Sequence, residues 1–166
     1  VTEPILALAG DYYDWSNFGL RKVHVFGRTW ATSEHAFQAA KFFGTDENHV
    51  ELVAAAATPR DAKKYGRTRS VPIRRGWDGD AMTVITLIVL RKFEQHEDLA
   101  AQLVASGGAR IVEGNAHGDR LWGAEWEHKS VDERYTMPIW ASEEHRVLTG
   151  RNQLGRVLMV VRRELA

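Results

Sequence analysis

Apolar and polar residues alternate over Lys22-Val-His-Val-Phe26, Gly27-Arg28 interrupts the run, and Thr29-Trp30 resumes it, which predicts two short strands around a turn. The period then lengthens. Thr32 or Ser33 caps a helix that runs to about Phe43 and is stopped by Gly44. Thr58-Pro59 sets a capping hydroxyl before a proline at the first helical position, so a short helix is expected from there to Gly66. Asp78 or Asp80 opens the longest helix, with Met82, Ile85, Val89, Lys92 and Phe93 on neighbouring turns. A break near His96-Glu97 precedes a helix over Leu99 to Ala105, closed by Gly107-Gly108, and Ala109 to Glu113 reads as a strand. Asn152 caps the last helix, where Leu154, Val157, Leu158, Val161 and Leu165 keep helical spacing. Helices with a few short strands between them make the class α+β. A chain of 166 residues fits one compact domain over 1–166 better than two halves, each of which would bury too little surface.

Composition narrows the classes without choosing among them. A 44% hydrophobic and 27% charged chain is globular in character and not disordered. Acidic and basic residues balance at 22 each, so net charge gives no reason to expect nucleic acid or membrane. The absence of cysteine excludes a disulfide framework and thiolate metal sites. No apolar run approaches the roughly 18–20 residues of a spanning helix. The longest, Val84 to Leu90, is interrupted by Thr86 and ends at Arg91-Lys92. With no basic region ahead of the short apolar N-terminal stretch, a signal peptide is not expected, and a cytoplasmic location without membrane contact is the expectation.

Local charge changes this picture. Arg60, Lys63, Lys64, Arg67, Arg69, Arg74 and Arg75 are opposed only by Asp61. They form either a solvated helix face with a basic loop or a phosphate site, since arginine forks match phosphate oxygens in pairs. Trp30 and Trp140 read as core, whereas Trp77 and Trp122 sit in loop-like sequence. A tryptophan there either packs over its loop or stacks on a nucleobase.

Glu34, Gln38 and Lys41 recur at i, i+4 and i+7 and form one polar stripe with Phe37 beside it; Ala36, Ala40 and Phe43 fall on the opposite side. Periodicity by itself favours a solvent-facing stripe with Glu34 at the positive end of its helix. The chemical alternative is a cleft that receives a carboxylate, an amide and an amine from one rigid element. Asp119, in His117-Gly-Asp-Arg-Leu-Trp-Gly123, offers a second carboxylate from a loop. Glu34-His35 and Glu144-His145 do not make the HExxH pattern, so no catalytic metal is expected, and no cofactor motif (GxGxxG, Walker loop or GxSxG) occurs.

Several motifs occur together in a fixed order: Trp15-Ser-Asn-Phe18, Thr32-Ser-Glu-His-Ala-Phe-Gln-Ala-Ala-Lys-Phe42, Ala57-Thr-Pro-Arg-Asp-Ala62 with Gly66-Arg67, Arg75-Gly-Trp77, Arg91-Lys-Phe93, Ile111-Val-Glu113, Asp119-Arg-Leu-Trp-Gly123 and Gly150-Arg-Asn-Gln-Leu-Gly-Arg-Val-Leu-Met159. In this the chain resembles the NADAR superfamily, the YbiA-like N-glycosidases, from about Trp15 to Arg162. The resemblance implies an α+β domain that hydrolyses an N-glycosidic bond on a phosphorylated ribosyl compound. Its partners would be a riboflavin-pathway intermediate or ADP-ribose on guanine in nucleic acid. It places Glu34, Lys41, Trp77, Asp119 and Trp122 at cleft positions, with Glu34, Lys41 and Asp119 as the catalytic set and Asn17 and Asn152 in support. Gln38, Arg67 and Arg69 join the substrate-binding group. One departure stands out. Ala124 to Thr149, with Trp126, Tyr135, Trp140 and Glu143-Glu-His145, replaces a short glycine-rich joint, and a longer loop there bears on substrate choice.

Two routes fit these residues. In one, Glu34 or Asp119 steadies the oxocarbenium-like sugar and activates water while its partner protonates the leaving nitrogen, each contributing roughly 10²–10⁴-fold. In the other, Lys41 attacks the opened sugar and forms a Schiff base, for which its pKa must fall toward roughly 7–8. A Glu34–Lys41 ion pair would oppose that fall. The covalent route is preferred, because one more cation adds little where seven others lie close by. The rival classes are a non-catalytic ADP-ribose or nucleotide sensor, and a nucleic-acid-binding protein that uses the Arg60–Arg75 stretch.

Overall fold

The computed structural model describes residues 3–115, 118–126 and 148–166. They form two compact units, one from residues 17–100 and one from 1–16 with 101–166. His117 and the middle of the long loop, including Tyr135, Trp140 and Glu143-Glu-His145, lie outside the described residues.

In the first unit, β1 (Val23–Val25) pairs antiparallel with β2 (Arg28–Trp30), Val23 opposite Trp30. Arg28 therefore belongs to a strand, and the turn is Phe26-Gly27, shifted by one from the expected Gly27-Arg28. Both turn residues have positive φ, 56° and 75°, the backbone that matches the twist of a two-residue hairpin. Phe26 is held in this costly conformation by an edge-on contact with Phe43, ring centroids 5.4 Å apart.

Helix α1 (Ser33–Ala40) starts where the capping pattern predicts, with Thr32 accepting from the His35 amide. The Thr32 hydroxyl also lies 2.8 Å from His35 Nδ1, and His35 Nε2 lies 3.1 Å from the Ala56 carbonyl. A carbonyl only accepts, so Nε2 carries the hydrogen and Nδ1 accepts from threonine. Burial pushes the imidazole pKa down and keeps it neutral in this bridge. The helix ends at Ala40, short of the expected Phe43. Arg74 takes the Ala40 and Lys41 carbonyls, and the Phe42 carbonyl is turned to the Thr45 and Asp46 amides.

Helix α2 (Glu47–Ala54) is additional to the elements expected from the sequence; Asp46 caps it through the His49 amide at 2.8 Å. His49 Nε2 reaches the Tyr65 carbonyl at 3.1 Å, tying α2 to α3 (Pro59–Gly66), which has the expected Thr58 cap and N-terminal proline. Helix α4 (Trp77–Gln95) begins one residue before Asp78, behind Gly76 at φ 83°. Trp77 is thus a helical residue and not part of a loop. After His96 breaks the chain, α5 (Glu97–Ala105) follows. Helix α1 packs against α2, α3 and α4, and all eight of its residues are buried.

In the second unit, Gly10–Trp15 is a turn of 3₁₀ helix whose fully buried Trp15 donates to Gln102 at 2.6 Å. The expected strand over 109–113 reduces to one bridge, Ile5 to Ile111, because Ile5 offers a single residue of pairing there. The small sheet lies further on: β3 (Gly114–Asn115) runs parallel to β4 (Ala124–Trp126), which pairs antiparallel with β5 (Leu148–Thr149). Helix α6 (Gln153–Leu165) buries Leu154, Val157, Leu158 and Val161. The class is α+β, mainly helical, with two small sheets among the described residues. Among the described residues no helix is long and apolar enough to cross a membrane.

Replacing Thr32 with alanine removes the α1 cap and one support of His35. It should cost about 1 kcal/mol in denaturant unfolding; an unchanged midpoint would show that this cap is not needed.

Candidate active site

The polar stripe of α1 does not face solvent. Glu34 and Gln38 are each 4% exposed and Lys41 is half-buried, so the three groups must satisfy one another. They do so in series. Gln38 Nε2 donates to Glu34 Oε1 at 2.7 Å, and Lys41 Nζ donates to Gln38 Oε1 at 2.5 Å and to the Gly66 carbonyl at 3.0 Å. Neither hydrogen bond of Nζ goes to Glu34; the amide stands between acid and amine where a direct ion pair was the alternative.

This arrangement sets the charges. Burial is the main cause that pushes the Glu34 carboxyl above its usual range, against the Gln38 hydrogen bond and the attraction of Lys63, Lys41 and Arg67. Burial also lowers the Lys41 pKa, to about 8. Glu34 pulls it up, while the like charges of Arg67 and Lys63 push it down. The Gly66 carbonyl ends α3 and so favours a cation, yet the net direction is down. A proton carrier and an amine that is neutral for much of the time near pH 8 therefore sit one amide apart.

Other residues of the same unit frame the amine. Lys41 Nζ lies 5.8 Å from the centre of the Phe37 ring, and Phe37 packs on Trp77 with centroids 5.2 Å apart. The Arg74 guanidinium covers Trp77 at 5.3 Å, bonds Asp80 at 2.7 Å and takes the Ala40 carbonyl at 3.1 Å, while its amide bonds the Lys41 carbonyl. Within the basic stretch, whose sequence fits either a solvated face or a phosphate site, Arg74 is the clamp on the end of α1. A basic stretch gives no sign of which arginine turns inward. Arg67 and Arg69 are exposed. Asn17 is buried; its carbonyl accepts from the Glu34 amide at 3.0 Å, and its Oδ1 has no hydrogen-bond partner among the described residues. Gly66, anticipated only as a helix stop, also proves to be a lysine acceptor.

Asp119, Trp122 and Asn152 belong to the other unit. Asp119 Oδ1 accepts from the Leu121 and Trp122 amides at 3.2 and 3.0 Å, an Asx-type turn, while Asn115 bonds its backbone on both sides. Trp122 is half-buried, and its carbonyl accepts from the Leu154 amide at 2.9 Å. Asn152 stands at the N-cap of α6 but does not cap with its side chain. Its left-handed backbone, φ 49°, sends the amide elsewhere, to the Glu113 N–H at 3.0 Å and the Ile111 carbonyl at 2.8 Å. Among the described residues no three His, Asp or Glu side chains gather as metal ligands.

Comparison with known proteins gives this geometry a context. The NADAR domain profile matches residues 11–166. The chain is 36% identical over 156 residues to the N-glycosidase YbiA of Escherichia coli (strain K12), spanning 94% of this chain and 83% of that protein. It is 34% identical over 155 residues to the N-glycosidase Npun_R5314 of Nostoc punctiforme, spanning 93% and 86%. The NMR structure of the E. coli protein YbiA superposes with a TM-score of 0.75 at 33% identity, covering 99% of this chain and 87% of that one.

The electrostatics have a sign that can be checked. Acylation of Lys41, followed by peptide mass spectrometry across pH, should show a midpoint near 8. Glu34→Gln removes a charge that favours the ammonium and should lower the midpoint; Arg67→Ala removes a repelling cation and should raise it. A midpoint at the ordinary lysine value, unmoved by either change, would contradict the assigned causes.

Proposed function

The chain belongs to the NADAR domain family, and from that premise we propose that it is an N-glycoside hydrolase acting on a phosphorylated ribosyl or ADP-ribosyl compound, with Lys41 as nucleophile and Glu34 as proton carrier. The observation that carries this reading is the hydrogen-bonded chain from buried Glu34 and Gln38 to half-buried Lys41, an environment that lowers the amine pKa to about 8. A lysine with that pKa combines a useful neutral fraction with nucleophilicity.

The reaction starts when the ribose ring opens and its anomeric carbon becomes an imine to the base nitrogen. Lys41 Nζ adds to that carbon, a new C–N bond forms, and the bond to the base breaks. Glu34 supplies the proton that leaves with the base amine. Water then adds to the lysine imine, Glu34 recovers a proton, and the C–N bond to Lys41 breaks to return free amine and aldehyde sugar. The sum is one water consumed: the base nitrogen leaves with an added hydrogen and the anomeric carbon keeps the water oxygen. Gln38 holds acid and amine at fixed spacing without letting them collapse into an ion pair, which would keep the lysine charged.

For substrate binding, exposed Arg67 and Arg69 are suited to phosphate oxygens. Trp77 acts by holding Phe37 beside the amine, and base stacking is assigned to Trp122. The Asp119 hydrogen bonds support a role in shaping the Trp122 loop over one in proton transfer. ADP-ribosylated guanine in nucleic acid is the larger of the two substrates considered, and the basic stretch suits its backbone.

Incubation with ADP-ribosyl-guanine DNA and with a phosphoribosylamino-pyrimidine should release base from at least one of them. Borohydride added during turnover should leave a pentosyl adduct on Lys41; active turnover without that adduct would remove the covalent route. Asp119→Asn keeps the accepting oxygen and should hold activity within about tenfold. A loss of roughly 10²–10⁴-fold would restore Asp119 as an acid or base.

A further inference from the structure

Gly66 is the last residue of α3, and its carbonyl is one of two acceptors for Lys41 Nζ. Its backbone is helical and not left-handed, so conformation does not demand glycine there. Space does. A Cβ at position 66 would lie 2.7 Å from both Cβ and Cδ of Gln38 and would overlap its Oε1. The Oε1 end can swing aside, but the Gln38 Cβ is fixed by the α1 backbone, so a side chain at 66 would push the two helices apart.

What those helices hold is the amine. A neutral amine has two hydrogens and one lone pair, whereas an ammonium has three hydrogens and no lone pair. Gln38 Oε1 and the Gly66 carbonyl take two hydrogens, at 2.5 and 3.0 Å. Among the described residues no third acceptor bonds Nζ. In the neutral form both hydrogens are therefore satisfied and the lone pair takes the direction left over.

We propose that Gly66 is a positioning residue: by admitting no side chain between α3 and α1, it keeps its own carbonyl and Gln38 around Lys41 so that the amine lone pair points to the arriving anomeric carbon. The inference rests on the nucleophilic role of Lys41 given above. It assigns the orientation of that group to two acceptors, one of them present only because a glycine lets the helices meet.

The test is Gly66→Ala, with kcat, KM and the Lys41 acylation midpoint measured together. Moving an attacking group by about 1 Å costs on the order of 10²-fold. The expected result is a kcat reduced by about that factor, a KM within about threefold, and an acylation midpoint raised above 8 as water reaches the amine. A folded Gly66→Ala protein with unaltered kcat overturns the proposal. So does one with lost kcat but an unmoved Lys41 midpoint, which is a general packing defect. If Gly66→Ala does not fold, Gln38→Met decides, because it keeps the bulk and removes one acceptor. It should lose kcat to a similar degree, and wild-type kcat there overturns the proposal. Lys41→Ala is run in parallel. Activity that survives it refutes the nucleophile itself, whereas an inactive Lys41→Ala beside an unaffected Gly66→Ala refutes only the positioning role.

Discussion

An eight-residue helix with no solvent-facing side takes its polar groups out of water, and α1 carries a carboxylate, an amide, an imidazole, the Ser33 hydroxyl and, just past its end, an amine. Water is excluded from most of them, and the carboxylate, amide, imidazole and amine are each bonded to a neighbour at a defined distance, while Ser33 Oγ has no partner among the described residues. His35 is bridged between the cap and the loop after α2, and Gln38 is bridged between Glu34 and Lys41. The same burial that forces these pairings shifts the ionisations, raising the carboxyl and lowering the amine. Structural economy and chemical reactivity here have one cause.

The remainder of the first unit serves that helix. Its N-terminus is fixed by Thr32 and the Asn17 carbonyl, and its C-terminus by Arg74. One flank is set by the contact of α3 at Gly66. Lys63 and Arg67 of the basic stretch act on the site through their charge. In the second unit, Asn152 and Asp119 spend their side chains on backbone groups and so hold the Trp122 loop against the start of α6.

How much of this was legible in the sequence follows from how local each signal is. Caps, the proline of α3 and the glycine punctuation act within a few residues, so the hairpin and α1, α3, α4, α5 and α6 were anticipated, with ends off by a few residues. The three-residue strands β1 and β2 could be anticipated because a local turn joins them; β3 to β5 depend on pairing between segments that no such turn joins, and the expected strand at 109–113 reduces to one bridge because its only partner there is Ile5. Helix α2 had a cap in Asp46 and an apolar pair in Val50 and Val53, a signal present but short. The spacing of Glu34, Gln38 and Lys41 was plain, yet periodicity says only that they share a face. That the face is covered depends on tertiary packing, and by periodicity alone the solvent-facing reading was favoured. The ordered motifs, not the period, pointed to the site. The inward turn of Arg74, the left-handed backbone of Asn152 and the clearance at Gly66 lie beyond any local rule.

The central claim is that Lys41, held between two acceptors, has a pKa lowered to about 8 and so is readily available as the neutral amine. Nitrogen NMR of the lysine side chain in the free protein addresses it without any assumption about substrate. The account predicts that the Lys41 Nζ resonance titrates with a midpoint near pH 8 and, above it, shows two attached hydrogens while other lysines still show three. A Lys41 resonance that remains an ammonium up to the ordinary lysine range would contradict it, and with it the assignment of Lys41 as nucleophile.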